Sequence, residues 1–487
     1  AVPSRLACTN FRKAGQIWHF LLPADGMVSV TDKVVKALEP KRFETIKAWR
    51  KAFLKPFEKD EIARAEALAE GVESLWKQHA EELERVRKAT ADELHVWPDP
   101  AANRAPTTTK EKDAIYAREM LSERVRNASP YRRLKLVMDY WCALWFWPVT
   151  GAEDLPTREE WWFDLETLAL GNANLAPAGI PTDFFPETIP QQTIDFTVER
   201  DRYGHVNLDA LLENNPRLKR AAAIAGTQRF FHWELEFADL FKTRGGFDLI
   251  LGNPPWIKVE WNERALLAEY SPLFALRKLS AKEAADRRDA VFAAAPLAQQ
   301  DYIEECAGQE GMQAFMNATQ NYSLLKGSQT NLFKCFLPVV WRLGNPARGI
   351  QALLHPEGIY DDPKGAVLRA PTFARLRAHY QFENQLLLFP EVHHNTKFSI
   401  NIYGPPQPPQ FLHIANLFDP TTIRASLEHP GGSTTPGIKS DAGRWQTAGH
   451  KNRIIEVNAA TLATFAKLYD EPGTPPEQAR LPAVHSR

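Results

Sequence analysis

The sequence has no surplus of charge of either sign: 59 Lys and Arg stand against 60 Asp and Glu in 487 residues. Net charge therefore argues neither for nor against a polyanionic partner, and a nucleic-acid surface would have to come from local clustering of basic side chains. Cysteine is scarce. Cys8, Cys142, Cys306 and Cys335 are scattered without a C-x-x-C pair, which excludes a disulfide scaffold or zinc ribbon and suits a reducing cytoplasm. Long apolar runs are absent too, so no membrane span is expected. The richest stretch, Leu134 to Trp147, contains Lys135 and Asp139 and reads as a buried helix. No signal-peptide pattern opens the chain, and it begins at Ala1 rather than methionine, so a longer parent is expected.

What is present is enough hydrophobic residue, 44%, to build sizeable cores, and a length that suggests roughly two to four domains. Residues 1–190 read as a mainly helical domain. Thr31 can cap a helix from Asp32 to Leu38, Lys41 to Leu54 continues in the same style, and Glu58 to Val86 is rich in strong helix formers. A proline-rich break spans Trp97 to Pro106. Thr109 then caps a helix to about Arg126, Ser129-Pro130 starts another, and Thr157 with Glu160 makes a capping-box pattern for a helix through Leu170. The charged faces read as solvated surface; the alternative is that Lys41, Arg42, Lys47, Arg50, Lys51 and Lys55 form a ridge for phosphates.

After Pro190 short strand-like runs alternate with helices. The runs are Phe230 to Phe237, Phe247 to Leu251, Gly349 to Leu354, Phe382 to Phe389 and Phe398 to Tyr403. Helices fit Leu208 to Ala225, Asn331 to Leu343 and Ala366 to Tyr380. The alternation predicts an α/β sheet with a mainly parallel core over 191–425, carrying a helical insertion at 261–320. Residues 426–487 read as a loop and a final helix near Ala459 to Tyr469.

The chemistry is concentrated in Asn253-Pro254-Pro255-Trp256, where a buried strand runs into a double-proline turn. Chance would give Asn-Pro-Pro-aromatic on the order of 0.01 times in such a chain, and open α/β sheets bind ligands at the carboxyl ends of their strands. The plain alternative is an ordinary proline turn with an Asn satisfying its own backbone. An exocyclic amine on an aromatic base is a poor nucleophile because its lone pair is delocalised into the ring. The Asn253 side-chain oxygen and the Pro254 carbonyl can hold both amine hydrogens and stabilise the developing positive charge. Pro254 and Pro255 fix the turn, and Trp256 offers a flat face on which an extruded base can stack. No Pro-Cys motif is present for attack on a cytosine ring.

The stretch Phe230 to Phe241 (FFHWELEFADLF), followed by Gly245-Gly246-Phe247-Asp248 and the Asn-Pro-Pro-Trp turn, resembles the gamma-type DNA adenine methyltransferases. It is most similar to the large methylases of bacterial restriction-modification and phage-defence systems, over about Leu208 to Asp419. The resemblance implies a Rossmann-like methyltransferase core dependent on S-adenosylmethionine, double-stranded DNA as partner, and methylation of a flipped adenine. Defence-system subunits are further possible partners. It places Asp239 and Leu240 against the adenine of the cofactor; the alternative for Asp239 is a helix or turn cap. It also sets Pro390 to Phe398 as the loop giving a second aromatic face, with His393 where many relatives carry Phe. His393 and His394 otherwise read as surface loop residues, and they lack the partners a metal site needs. Gly327 to Phe333 resembles the approach to the helix before the next core strand, with Ser328 to Asn331 as capping residues. Lys258, Arg342, Arg348, Lys364, Arg369 and Lys397 are candidate phosphate contacts.

The same resemblance requires a glycine-rich turn after the first strand, where the cofactor approaches the backbone. No G-x-G occurs between Ala1 and Asp248, and Gly245-Gly246 is too close to the catalytic strand to serve. The core is therefore expected to be incomplete at its N-terminal side, with the first strand and its loop upstream of Ala1 and a target-recognition domain downstream of Arg487. Two rival readings stay open: methylation of a protein glutamine amide, which uses the same turn, and a DNA-binding or assembly fragment whose methylase is incomplete.

Overall fold

The computed structural model describes residues 2–4, 16–91, 107–118, 129–171, 205–327 and 331–487. Cys8, the break at 97–106, the last residues of the helix expected to reach Arg126, and Ser328, Gln329 and Thr330 lie outside them. The chain forms two compact units, one of residues 1–243 with 261–315, the other of 244–260 with 316–487. The division at 243/244 falls within the stretch 191–425.

Among its described residues, the first unit is helical apart from a short parallel pair, β1 (Val2–Ser4) and β2 (Gln16–Trp18). Its longest helix, Lys59–Thr90, starts at a capping box formed by Glu58 and Glu61. Ala65, Leu68, Ala69, Val72, Leu75 and His79 recur at three- and four-residue spacing and are buried, which is the stripe that seats the helix on its neighbours. Ser129 caps Pro130–Ala143 with Pro130 in the first turn, and Thr157 and Glu160 form the capping box of Arg158–Leu170. Two caps differ by one residue from the expectation. Asp32, not Thr31, caps Lys33–Leu38, and Thr108, not Thr109, caps Thr109–Tyr116. Thr31 instead donates its hydroxyl to Glu310 at 2.6 Å.

The core of this unit is aromatic, with Trp145, Trp147, Trp161 and Trp162 almost fully buried. Asp164 is buried among them and accepts from Tyr140 (3.0 Å), Asn215 Nδ2 (2.8 Å) and Arg217 Nε (3.2 Å). That network explains why the expected helix Leu208 to Ala225 is two, Leu208–Asn214 and Pro216–Gln228: Asn215 turns to cap the second helix, and Pro216 cannot continue the first. Phe230 to Phe237 is not a strand. Trp233–Glu236 is one helical turn, followed by the helix Ala238–Arg244. The aromatic run imitates strand composition, but Glu234 and Leu235 are adjacent and both buried, contrary to strand alternation. The segment 261–320 is helical as expected, in Glu263–Tyr270, Leu273–Leu276, Ala281–Ala294 and Pro296–Asn317.

The second unit is a six-stranded sheet: β3 (Leu249–Gly252), β4 (Ile350–Pro356), β5 (Leu376–Glu383), β6 (Lys397–Tyr403), β7 (Gln410–Leu417) and β8 (Ile455–Asn458), in the order β3-β4-β6-β5-β7-β8. β3 with β4 and β5 with β7 are parallel; β4–β6, β5–β6 and β7–β8 are antiparallel. The sheet is mostly parallel in strand direction yet mixed: β3, β4, β5 and β7 run one way, while β6, which enters between β4 and β5, and β8 run the other. The protein is thus mixed α/β, compatible with a methyltransferase fold. The expected helix Ala366 to Tyr380 ends at Phe373, and β5 begins at Leu376 rather than Phe382. Every residue from Ala378 to Phe382 is buried, and such two-sided burial erases the alternation by which a strand is read.

The two faces of the sheet differ. One is apolar, with Ala378, Tyr380, Phe382, Phe398, Ile400 and Ile414 packed together. The other carries His355, His379, Gln381, Ser399, Asn401 and His413, all buried. Glu357 accepts from His379 Nε2 at 3.1 Å, His379 Nδ1 meets His413 Nδ1 at 2.8 Å, and His355 Nε2 meets the Tyr403 hydroxyl at 2.9 Å. Among the described residues β3 lies at the sheet edge, paired only with β4, and its Leu249 and Leu251 are 59% and 69% exposed.

Candidate active site

The Asn253 turn leaves the carboxyl end of β3, an edge strand anchored at both ends. Before it, Phe247 N donates to Leu343 O (2.9 Å) and Phe247 O accepts from Asn345 N (2.8 Å). After the turn, Ile257 O accepts from Leu332 N (3.0 Å), at the start of the helix Leu332–Leu343. The segment between these anchors is stiffened by Pro254 and Pro255, whose rings fix φ and remove two donors. Pro254 is buried, while Asn253 and Pro255 are exposed. Among the described residues, neither the Asn253 side chain nor the Pro254 carbonyl makes a hydrogen bond. Both acceptors are therefore without a partner among the described residues, on a segment stiffened by two prolines.

Trp256 is half-buried on the apolar face of the sheet. Its ring centroid lies 5.6 Å from Phe389, edge-on, and 5.6 Å from Phe398, tilted; Nε1 donates to Leu354 O at 3.4 Å. Phe398 also stacks on Phe382 at 5.4 Å. One side of the indole is committed to this aromatic cluster, which fixes its orientation. The family resemblance points to His393 for a second ring, but the ring that the segment after β5 brings to Trp256 is Phe389. His393 is exposed, stacks on His394 at 4.3 Å, and accepts from Asn395 N through Nδ1 at 3.2 Å.

A residue that sequence reasoning passed over organises this segment. Asn384 is fully buried; its Nδ2 donates to Phe389 O and Val392 O, both at 2.8 Å, and its Oδ1 accepts from Phe389 N at 3.0 Å. The only hint in the sequence is an Asn between a strand and three leucines, a composition shared by many turns.

Asp239 and Leu240 belong to the first unit, in the first turn of the helix Ala238–Arg244. Asp239 is buried; Oδ2 is held by Arg87 Nε at 2.9 Å, while Oδ1 is buried without a hydrogen-bond partner among the described residues. Leaving a buried carboxylate oxygen unpaired is costly, so such an oxygen is a ready acceptor for an outside donor.

Of the basic residues expected to face phosphates, Arg369 does not: it is buried and donates to Gln478 O (2.9 Å), Ile359 O (3.2 Å) and Asp362 O (2.5 Å). A guanidinium, with several donors in a fixed fork, can serve three backbone carbonyls at once. Lys258 is paired with Glu260, and Arg348 with Asp248 at 3.1 Å; Lys364 and Lys397 are exposed. In the 41–55 stretch, Arg42 pairs with Glu39 and Glu153, Lys47 with Glu44, and Arg50 donates to the Met27 and Asp25 carbonyls, the pattern of a self-compensated helical surface. Burial pushes the thiols of Cys142, Cys306 and Cys335 well up, as for inert core cysteines. Among the described residues no group of His, Cys, Asp or Glu is arranged to hold a metal, and no helix is long and apolar enough to cross a membrane.

No curated protein matches the chain. Residues 141–286, just under a third of the chain and including Asn253 to Trp256, match the family model described as Eco57I restriction-modification methylase, which supports a methylase of the restriction-modification type with DNA as its substrate.

Proposed function

We propose that the chain carries the catalytic part of a Rossmann-like, S-adenosylmethionine-dependent DNA adenine methyltransferase, acting on the exocyclic amine of a base flipped out of the duplex. The observation that carries this reading is the pair of unengaged acceptors on the Asn253-Pro254 turn, set at the carboxyl end of a strand beside a fixed indole. In the reaction, Asn253 Oδ1 and the Pro254 carbonyl accept the two amine hydrogens. Localising them on the acceptors returns lone-pair density to nitrogen and stabilises the positive charge that grows as the N–C bond forms. Trp256 supplies the stacking face, and its cost of ordering is already met by Phe389 and Phe398.

Bound S-adenosylmethionine would supply the electrophilic methyl from its sulfonium, the thioether being released, and the amine's surplus proton would leave to water. The orphaned Oδ1 of Asp239 fits an acceptor for the cofactor's adenine amine, and Leu240 would border that ring. A role in restriction-modification or phage defence, with partner subunits, follows from the same family resemblance.

The test is transfer of tritiated methyl from S-adenosylmethionine to adenine-unmethylated plasmid DNA. Asn253→Ala is expected to lower incorporation by about 10²–10³ with DNA binding retained. Label recovered in protein, or incorporation indifferent to Asn253, would sink the reading.

A further inference from the structure

Three consecutive leucines, Leu386, Leu387 and Leu388, stand in solvent at 47%, 52% and 36% exposure. Isolated exposed leucines are ordinary, but an exposed apolar run at a tight turn marks a surface that meets something. Leu387 has φ of +55°, a left-handed conformation that a bulky side chain adopts only where its surroundings impose it. What imposes it is Asn384: the Leu387 N–H donates to its carbonyl at 2.9 Å, and its side chain closes the segment through Phe389 and Val392. Asn384 N in turn donates to Thr396 O at 3.1 Å. The leucines are thus held out on a rigid knuckle.

The knuckle leaves the sheet at the same end as the Asn253 segment. β3 and β5 run in the same direction, because β4 is parallel to β3 and antiparallel to β6, and β6 is antiparallel to β5. The Asn253 turn and the leucine turn therefore leave the same end of the sheet, three strand spacings apart, or roughly 14 Å. This is comparable with the major-groove width of about 12 Å. Phe389, directly after Leu388, touches Trp256 and joins the two turns physically.

We propose that Leu386 to Leu388 form a wedge that enters the base stack and fills the space vacated by the target adenine. The proposal rests on the flipping reaction above. Leucine is well suited to such a wedge, because it replaces the stacking contacts of the lost base with apolar ones and has no group with which to read sequence. A rigid wedge enters without a further ordering cost.

The test uses the full chain with adenine-unmethylated plasmid DNA, S-adenosylmethionine and permanganate, which oxidises thymines whose partner has left the stack. Wild type and Asn253→Ala are expected to expose discrete thymines. The combined variant Leu386→Ala, Leu387→Gly, Leu388→Ala is expected to lower their reactivity, and methyl incorporation with it, by on the order of tenfold. On an oligonucleotide carrying the site so found, with an abasic position opposite the target, incorporation should return close to wild type. If the triple variant does not fold, Leu387→Gly with Leu386→Ser takes its place, since glycine accepts that φ. Unchanged thymine reactivity in a folded variant overturns the wedge and leaves the flipping reaction standing, including when self-association falls, which would assign the knuckle to a protein partner. Equal loss on paired and abasic-opposed DNA also overturns it. No reactive thymine and no methyl transfer with wild type overturns both.

Discussion

Gly246 stands two residues after the end of the helix Ala238–Arg244, at φ of +145°, and a Cβ there would lie 2.6 Å from the Leu343 carbonyl oxygen and 2.8 Å from the carbonyl carbon of Gly344. Those are backbone atoms that cannot rotate away. The glycine lets the approach to β3 lie against the backbone that leads to β4, so the Gly-Gly pair that is too near the strand for a cofactor has a structural role instead. Gly246→Ala is expected to destabilise the second unit by on the order of 2–4 kcal/mol, read from urea unfolding. An unchanged midpoint would mean that residues 343–345 move aside at no cost. At Leu387 the sign reverses. Relief of the left-handed conformation, about 1–2 kcal/mol, exceeds the added flexibility of an unfolded glycine, about 0.4–1 kcal/mol. Leu387→Gly should therefore hold or raise the melting temperature, a result that calorimetry can contradict.

Helix starts and strands were unequally readable from the residues alone. Capping residues such as Ser129 and Thr157 marked helix starts because their action is local. The last helix, Ala459–Tyr469, was legible for the same reason. β5 was misplaced because both its faces are covered, and β7 and β8 were not expected at all; β8 is four residues long. The support of Trp256 was hidden differently: Leu354 and Phe398 reach it from strands about 100 and 140 positions away, a proximity that no local pattern encodes. Asn384 belongs to the same class. Replacing it with Ala would strand the Phe389 amide and the Val392 carbonyl, at about 1–3 kcal/mol for each group left unpaired, while the Phe389 carbonyl keeps the Val392 N–H at 3.1 Å. Asn384→Ala is expected to lower stability and to loosen residues 385–396 in hydrogen exchange. Protection of those amides at the wild-type level would show that the loop is held by its backbone alone.

Across the second unit as a whole, the buried polar face of the sheet ties stability to pH. Burial pushes the imidazole of His355 down to about 4 and that of His413 down to about 3, with the neighbouring His379 adding to the effect, so both rings are neutral in the fold. The unfolded chain, with ordinary histidines near 6.5, binds more protons between those values, so stability is full above about 6.5 and declines as pH falls toward 4 and 3. Glu357 acts in the same direction at lower pH. Burial alone would raise its carboxyl, but His379 and the Ser399 hydroxyl hold it below the usual range, so its contribution is lost as pH drops through the folded value. At pH 5 each of the two histidines should have cost on the order of 2 kcal/mol. The melting temperature is expected to be clearly lower at pH 5 than at pH 7.5; equal values would mean that the rings are charged in the fold.

The open side of β3 bears on how the chain behaves at the bench. A strand with one unpaired row of amides and two leucines in water is a template on which another chain can add itself, and proteins ordinarily blunt such rims with lysine, proline or a covering segment. Among the described residues, the rim is blunted by none of these over Leu249 to Gly252. Concentrated preparations should therefore associate reversibly, with a sedimentation coefficient that climbs with loading, and Leu251→Lys should flatten that climb without altering folding stability by more than the roughly 0.5 kcal/mol typical of surface changes. Colloidal behaviour, as much as chemistry, would then be governed by four residues leading into the Asn253 turn.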